Sequence, residues 1–246
     1  MTKYIKFSLL LFVFSFSLPA LSQVSVEEAL AAEARSDEDR ARDPGRMPAQ
    51  VLEFLGIGAG SRVADLLSGG GYYTRILAPV VGPEGAVYAG NNPFFDRFGA
   101  EALTALLSEP GFENVMRIDA PVDEIPLPDD ASLDAVMIVL AYHDLWLTDE
   151  DRGELNRRVL AALKPDGVYG IIDHHAAEGA GTSVIESLHR IEESVIVEEI
   201  TGAGFVLAAT GNFLSNTEDD RSLIVFNPDI RGRTDRFVLR FEKPQE

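Results

Sequence analysis

The residues best suited to proton transfer or metal binding lie in the second half of the chain. His143 precedes Asp144, and Asp173 precedes His174 and His175. Imidazole titrates near neutral pH, so His143 or His174 can act as a general base that deprotonates a hydroxyl or an amine. Imidazole and carboxylate are also ordinary ligands of divalent metal ions. The pattern predicts either proton transfer or metal binding, with a purely structural role as the remaining alternative.

Proton transfer is the interpretation that we favour, and we assign no metal ligands. Neighbouring residues of an extended chain point to opposite faces, which argues against both His174 and His175 as ligands of one ion. The fourth histidine, His189, precedes Arg190 in a helical pattern. A surface pair is the simpler interpretation there, although Arg190 could reach an acidic substrate. The catalytic candidates are His143, His174 and Asp144.

A run of three glycines is the second feature that could bind a ligand. Gly69, Gly70 and Gly71 follow the short apolar strand pattern at 63–67 and precede a helix start at Tyr72. Glycine lets a ligand approach the backbone, and the N–H groups that open the next helix face that ligand. The pattern favours a nucleotide-like ligand, and a tight turn that binds nothing is the alternative.

Strand patterns and helical patterns alternate along most of the chain, and these elements must position both groups of residues. Strands are predicted at 62–66, 86–90, 115–118, 133–140, 167–173, 205–210 and 236–242. Helices are predicted at 26–34, 48–55, 150–163 and 183–201, with a polar stretch at 36–44 and a stop at 164–167. This order predicts an α/β fold, a doubly wound and mostly parallel sheet with helices on both faces. The last two strands form an added pair at one edge.

Charge and composition exclude several classes of partner and chemistry. The chain has 40 acidic and 21 basic residues and a net charge of −19, so it has no general attraction for nucleic acid or for anionic lipid. It has no cysteine, which excludes disulfides, thiolate metal sites and a cysteine nucleophile. We therefore expect no nucleic-acid partner.

The N-terminus has the pattern of a secretory signal peptide. Lys3 and Lys6 precede an apolar run at 7–18, and small residues follow at 20–22. The run is shorter than the ~20 residues of a membrane-spanning helix. We expect a signal peptide at 1–22, export to the periplasm or the medium, and no stable membrane insertion after cleavage. The mature chain, 23–246, is predicted as one domain with an N-terminal helical extension at 23–47.

The chain resembles the class I S-adenosylmethionine-dependent methyltransferases over roughly residues 48–243. Segments in the family's order carry this resemblance: an acid and glycine turn at 63–71, a second strand end at 87–93, Asp119-Ala120 with the approach at 125–136, and the entry to strand five at 158–173. The C-terminal helix and two strands complete the usual seven strands. The pattern is similar to that of exported bacterial proteins known only as predicted methyltransferases.

The resemblance implies a site for S-adenosyl-L-methionine. The residues that the resemblance places at this site are Asp65, Ser68, Gly69, Gly70, Gly71, Thr74, Asn91, Asp119 and Ala120. Asp65 would organise the turn or take the ligand's ammonium group, and Asp119 would meet the adenine amino group. The chain departs from the family at Leu67, where a glycine is usual, and at Asn91, where an acid usually holds the ribose hydroxyls.

These observations predict an exported, Rossmann-like methyltransferase that acts on an unidentified small molecule. Methyl transfer would draw its rate mainly from proximity and orientation. A non-catalytic protein that binds a nucleotide or S-adenosylmethionine is the first alternative. A metal-dependent hydrolase built on the histidines is a more distant alternative.

Overall fold

A computed structural model describes residues 24–245 as a seven-stranded sheet with helices on both faces. The strands are β1 (Arg62–Leu66), β2 (Ala86–Gly90), β3 (Val115–Arg117), β4 (Leu133–Val139), β5 (Leu163–His174), β6 (Val206–Gly211) and β7 (Arg236–Glu242). Their order across the sheet is β3-β2-β1-β4-β5-β7-β6. The strand β7 runs antiparallel to both of its neighbours, β5 and the edge strand β6. The predicted fold class is confirmed.

Eight α-helices and one 3-10 helix connect these strands within residues 24–245. The α-helices are α1 (Val26–Ala31), α2 (Asp37–Arg46), α3 (Pro48–Leu55), α4 (Tyr72–Val81), α5 (Pro93–Leu107), α6 (Arg152–Ala162), α7 (Ile185–Leu188) and α8 (Glu193–Gly202). The 3-10 helix, His143–Leu147, follows β4. The predicted signal peptide at 1–22 lies outside the described residues. No helix at 24–245 is long and apolar enough to cross a membrane.

Both faces of the central strands are buried, which explains their nearly continuous apolar sequences. Successive residues of β4 alternate between two cores: Val136 and Ile138 pack on one side of the sheet, and Ala135 and Met137 pack on the other. Helices α3 and α4 cover the second side, and α6 and α8 cover the first. This burial holds the carboxyl ends of β1, β4 and β5 at one edge, where the predicted site residues lie.

The polar stretch at 36–44 is helical, which the sequence pattern did not predict. Ser36 caps α2 by accepting a hydrogen bond from the backbone N–H of Asp39. Three acidic residues occupy the first turn, where their negative charge interacts favourably with the helix dipole. Pro44 lies near the C-terminal end of α2. Capping and the dipole therefore outweigh the missing apolar periodicity.

The single helix predicted at 183–201 is wrong, because the chain forms two helices there. Helix α7 ends at Leu188, and His189 adopts a left-handed backbone conformation with φ 52°. Histidine is among the few residue types that enter this region readily, so no glycine marks the break in the sequence. The break turns His189 away from the helical path and toward the end of β4.

The helix stop predicted at 164–167 agrees with the structure, since α6 ends at Ala162. The strand predicted at 167–173 begins earlier, because β5 starts at Leu163. Leu163 pairs with Leu133, and regular pairing with β4 resumes at Val168 after a register shift. Asp166 has a left-handed φ of 61°, so this segment is an irregularity at the start of a longer strand.

Candidate functional site

The glycine turn lies between β1 and α4, at the centre of the sheet where the strand order reverses. Leu67, Gly69 and Gly71 have left-handed φ values of 55°, 58° and 84°. Leu67 replaces the usual first glycine but keeps a conformation that glycine adopts easily, at a cost of roughly 1–2 kcal/mol for a residue with a Cβ. The departure at Leu67 therefore leaves the left-handed turn in place. Open α/β sheets bind ligands at this switch point.

A Cβ built on Gly69 would meet no protein atom within 4 Å. Within residues 24–245, the buried hydroxyl of Ser68 has no hydrogen-bond partner. The amide of Gly70 likewise has none within residues 24–245, whereas the amides of Ser68, Gly69 and Gly71 are bonded within the protein. Free space, an orphaned hydroxyl and a free N–H at one turn fit a polar ligand that approaches the backbone.

Asp65 braces this turn from the end of β1. It is buried, and its Oδ2 accepts a hydrogen bond of 2.7 Å from the hydroxyl of Thr74 on α4. Burial raises the pKa of Asp65 to about 6, against the opposing effects of the Thr74 hydrogen bonds and the charge of Arg46. These contacts support the predicted role of Asp65 in organising the turn.

The side chain of Asn91 holds the turn from the end of β2. Its Oδ1 accepts from the N–H of Gly69 at 2.8 Å, and its Nδ2 donates to the Gly69 carbonyl at 3.0 Å. The Asn91 N–H in turn donates to Oδ1 of Asp119 at 2.9 Å, and the Ala120 N–H donates to the Asn91 carbonyl at 3.2 Å. The side chains of Asn91 and Asp119 therefore already form hydrogen bonds with backbone atoms of neighbouring loops. The predicted contacts of Asn91 with ribose and of Asp119 with adenine stay predictions.

Helix α5 packs directly on the turn. A Cβ on Gly99 would lie 2.4 Å from the backbone carbon and oxygen of Gly69, and one on Gly71 would lie 2.5 Å from the side chain of Leu106. The two glycines remove the side chains that would separate α5 from the turn. Helix α5 therefore covers one face of the turn. The other face, toward which a Cβ on Gly69 would point, is open.

Two charged residues near this turn were not among the predicted site residues. Arg46, on α2, lies over the ring of Tyr72, with its guanidinium carbon 4.5 Å from the ring centroid. Its neighbours Arg35 and Arg42 pair with acids, whereas Arg46 has no ion-pair partner within residues 24–245. The guanidinium of Arg46 is therefore available to an anionic group. Its position comes from tertiary packing of α2, for which the sequence carries no signal.

The second missed residue, Asp96, lies on the first turn of α5. Its Oδ1 is buried without a hydrogen-bond partner and lies 3.8 Å from a guanidinium nitrogen of Arg117. Burial and the charge of Asp119 raise the pKa of the Asp96 carboxyl. Its place five residues after Asn91 is a signal that could have been noticed, because the family expects an acid near this strand end.

An imidazole and carboxylate cluster forms where β4 and β5 end. His143 Nδ1 lies 2.7 Å from Asp173 Oδ1, and its Nε2 lies 3.1 Å from Asp144 Oδ1. His189 Nδ1 lies 2.8 Å from the same Asp144 oxygen and 3.3 Å from His143 Nε2. The structure thus brings together the predicted pair His143 and Asp144 and adds His189, which the sequence analysis had placed on a helix surface.

The two predicted bases, His143 and His174, have opposite electrostatic environments. Burial lowers the pKa of His143, but Asp173 and Asp144 outweigh burial and raise it to about 10. Burial and the charges of Arg236 and His143 lower the pKa of His174 well below its usual range. His174 Nδ1 is 2.8 Å from the hydroxyl of Thr234, and its ring centroid is 6.0 Å from that of His143. At neutral pH His174 is the neutral imidazole of the pair.

Arg190 and His175 lie outside this cluster. Arg190 is fully buried and forms a 2.9 Å ion pair with Asp219, so the predicted surface pair at 189–190 is wrong. His175 Nε2 faces Glu193 at 3.4 Å. Its separation from the His143 cluster agrees with the alternating directions expected of adjacent residues on an extended chain.

An open groove of about 540 Å³ lies at the same edge of the sheet. Its walls are the start of α5, the loop after Ala120 and the loop that precedes α6, with Phe94, Arg97, Asp123 and Glu150 among the lining residues. Oε2 of Glu150 accepts a 2.8 Å hydrogen bond from Asn92, which joins the two sides. The predicted cofactor residues lie outside the lining, so the groove does not include the glycine turn.

Several solved structures with the same fold are described as methyltransferases. A SAM-dependent methyltransferase from Aquifex aeolicus superposes with a TM-score of 0.58 at 19% identity, over 89% of this chain and 99% of that chain. An enzyme of the same description from Mesorhizobium loti gives 0.54 at 20%, over 80% and 97%. The [4+2]-cyclase SpnF gives 0.56 at 18%, over 82% and 81%. The chain therefore adopts the fold of the class I S-adenosylmethionine-dependent methyltransferases.

Sequence comparison finds partial similarity to curated enzymes. The ubiquinone/menaquinone biosynthesis C-methyltransferase UbiE of Pseudomonas paraeruginosa is 32% identical over 118 residues, which are 48% of this chain and 43% of that protein. The UbiE of Ectopseudomonas mendocina is 31% identical over the same length. The chain spans less than half the length of these curated relatives. No protein-family model matches the chain.

Proposed function

We propose that this protein is an S-adenosylmethionine-dependent methyltransferase that acts on a small molecule. The observation that carries the proposal is the turn at Ser68–Gly71, which combines a left-handed backbone, open space beside Gly69 and an orphaned buried hydroxyl. This turn lies at the switch point of the sheet, and the solved structures with a similar fold include methyltransferases. The partial similarity to C-methyltransferases supports the same general activity.

In this proposal the turn holds the amino-acid part of S-adenosylmethionine. The Ser68 hydroxyl and the Gly70 N–H supply hydrogen bonds, and Arg46 supplies a positive charge for the carboxylate. The hydrogen bond between Thr74 and Asp65 joins α4 to the end of β1 and so holds the turn between them. When bound, the cofactor supplies an electrophilic methyl group. The chain's contribution is to orient an acceptor against it.

The adenosine part lies toward the ends of β2 and β3. Asp96 supplies the carboxylate for a ribose hydroxyl that the family pattern places at position 91, because its Oδ1 has no hydrogen-bond partner within residues 24–245. Asp119 and Ala120 form the loop beside the adenine ring, as the resemblance implies. His143, His174 and Asp144 remain the predicted catalytic residues. Among them His174 is the neutral imidazole at neutral pH, since the pKa of His143 is raised and that of His174 is lowered.

Calorimetric titration with S-adenosylmethionine tests the cofactor, with two glycine variants matched for backbone strain. Gly69 and Gly60 have φ values of 58° and 72°, and neither Cβ would meet a protein atom within 4 Å. Gly69→Ala should weaken binding by roughly tenfold or more, because the methyl group enters the cofactor space. Gly60→Ala incurs a similar backbone cost before β1 and should bind normally. No heat with the parent chain, or equal loss in both variants, would contradict the assignment.

A non-catalytic binding role remains the alternative, and the cyclase neighbour shows that this fold does not dictate one reaction. An activity assay distinguishes the transferase from the binding protein. It measures the S-adenosylhomocysteine that forms from S-adenosylmethionine in the presence of a panel of phenolic, amine and carbon acceptors. Turnover with any acceptor supports the transferase. Tight binding without turnover on the whole panel favours the binding role.

We also propose that the protein is exported and that residues 1–22 are removed. The support is sequence alone: Lys3 and Lys6, the apolar run at 7–18 and the small residues at 20–22. Mass spectrometry of protein from the native host should find a chain that begins near Gln23. A chain that retains Met1 in the cytoplasm would contradict export.

A further inference from the structure

Three side-chain donor atoms converge at the carboxyl end of β4. His143 Nε2, Asp144 Oδ1 and His189 Nδ1 form a triangle with sides of 3.1, 2.8 and 3.3 Å. Zinc bonds of about 2.0–2.2 Å place neighbouring ligand atoms about 3.3–3.6 Å apart in a tetrahedron. The triangle therefore has nearly the size of one face of a metal coordination sphere.

We propose that His143, Asp144 and His189 bind a divalent transition-metal ion of the zinc type. Two imidazoles and one carboxylate suit such ions, whereas alkaline-earth ions prefer sites made of oxygen. Side chains from two separate parts of the chain meet here, because the 3-10 helix carries the first two and the end of α7 carries His189.

Asp173 orients the first of these ligands. Its Oδ1 accepts from Nδ1 of His143 at 2.7 Å, so the other ring nitrogen, Nε2, faces Asp144 and His189. The carboxylate is itself fixed by 2.8 Å hydrogen bonds from the backbone N–H groups of His143 and His174, and it is fully buried. A carboxylate that holds the second nitrogen of a histidine ligand is a recurrent feature of metal sites.

Charge balance and exposure agree with a bound ion. The carboxylates of Asp144 and Asp173 both contact His143, and a divalent ion would offset their negative charge. The side chain of His143 is 2% exposed, that of Asp144 10% and that of His189 19%, so the cluster opens to solvent beside His189. Three protein ligands with one open side leave a coordination position for water or for a substrate oxygen.

Metal titration of the whole chain tests the site independently of the proposed transferase. Protein dialysed against a chelator is titrated with Zn²⁺ by calorimetry and with Co²⁺ by visible absorption, in ~0.15 M salt to screen the acidic surface. One equivalent should bind, and Co²⁺ should give the absorption bands of low-coordinate cobalt. His189→Ala and Asp144→Asn should each weaken binding by at least the roughly 10–100-fold caused by loss of an outer-shell partner.

His175→Ala is the matched control, because His175 is an imidazole on the same sheet edge that faces Glu193 instead of the cluster. It should bind Zn²⁺ like the parent chain. Thermal unfolding with and without Zn²⁺ confirms that each variant folds, and the ion should raise the Tm of the parent but not of His189→Ala.

Substoichiometric binding by the parent, or equal affinity in the parent and His189→Ala, would overturn the proposal and identify the cluster as a hydrogen-bonded, proton-bridged group. Calorimetry with S-adenosylmethionine on the chelated protein keeps the two questions apart. Failure of the metal site leaves cofactor binding unchanged, and failure of cofactor binding leaves the metal stoichiometry unchanged.

Discussion

The carboxamide of Asn91 forms two hydrogen bonds with the backbone of Gly69, one in each direction, at 2.8 and 3.0 Å. The same pairing joins the end of β2 to the glycine turn after β1. An aspartate could accept from the Gly69 N–H but could not donate to its carbonyl. The asparagine at this position is therefore suited to hold the turn, whatever it contributes to a ligand.

Asn91→Asp separates a positioning role from a ribose contact. Positioning predicts destabilisation of about 1–3 kcal/mol, because the buried Gly69 carbonyl loses its donor and faces a carboxylate. For a domain of this size the Tm should fall by about 2–4 °C per kcal/mol. Differential scanning calorimetry measures the change. An unchanged Tm with tighter S-adenosylmethionine binding would instead assign Asn91 to the ribose, since a charge-assisted hydrogen bond is stronger.

Gly99→Ala tests the close packing of α5 on the turn. The new Cβ would lie 2.4 Å from the Gly69 backbone, so α5 must move, at a typical overpacking cost of ~1–3 kcal/mol. Gly202→Ala, at the end of α8, meets no atom within 4 Å and should be neutral or stabilising by up to ~1 kcal/mol. Urea denaturation compares the two. Similar unfolding free energies for the two variants would show that α5 does not press on the turn.

Asp65→Asn should change the dependence of stability on pH. The folded-state pKa of Asp65, about 6, lies above its usual value of 3.8. The protonated carboxyl therefore stabilises the folded chain fully below about pH 4, and this stabilisation is lost as the pH rises through 6. Asparagine keeps an acceptor for Thr74 and cannot ionise. The variant should match the parent at pH 4 and exceed it at pH 8 by about 3 kcal/mol at most.

Chemical denaturation at both pH values measures this difference. A variant that is less stable than the parent at pH 8 would show that the Asp65 carboxylate is stabilised by its neighbours in the folded chain. The raised pKa would then be wrong.

Asp96→Asn should weaken S-adenosylmethionine binding by roughly tenfold, because a carboxylate hydrogen bond to a hydroxyl is about twice as strong as a neutral one. Glu101→Gln is the control, since it removes the same charge from an exposed position of α5. Equilibrium binding at physiological salt compares the variants. An equal effect of both changes would assign the loss to net charge and remove Asp96 from the site.

The positions of most strands, the glycine turn and the residues at strand ends were predictable from the sequence because they depend on local patterns. Apolar runs at 62–66, 86–90 and 236–242 coincide with β1, β2 and β7. Residues at the carboxyl ends of parallel strands share one edge, and His143 and His174 lie at the ends of β4 and β5, which pair in the sheet. Their rings lie 6.0 Å apart.

Tertiary packing alone decided which other side chains complete the site. His189 reaches Asp144 because the chain leaves its helix at a left-handed residue, and Arg46 lies over the ring of Tyr72, next to the glycine turn, because α2 packs there. No local sequence pattern predicts either contact. Helix α5, which carries Asp96, lies against the backbone of Gly69, and this contact depends on the absence of a side chain at Gly99. A sequence pattern reports the direction of a side chain along its own element, whereas distances between elements come from how their surfaces pack.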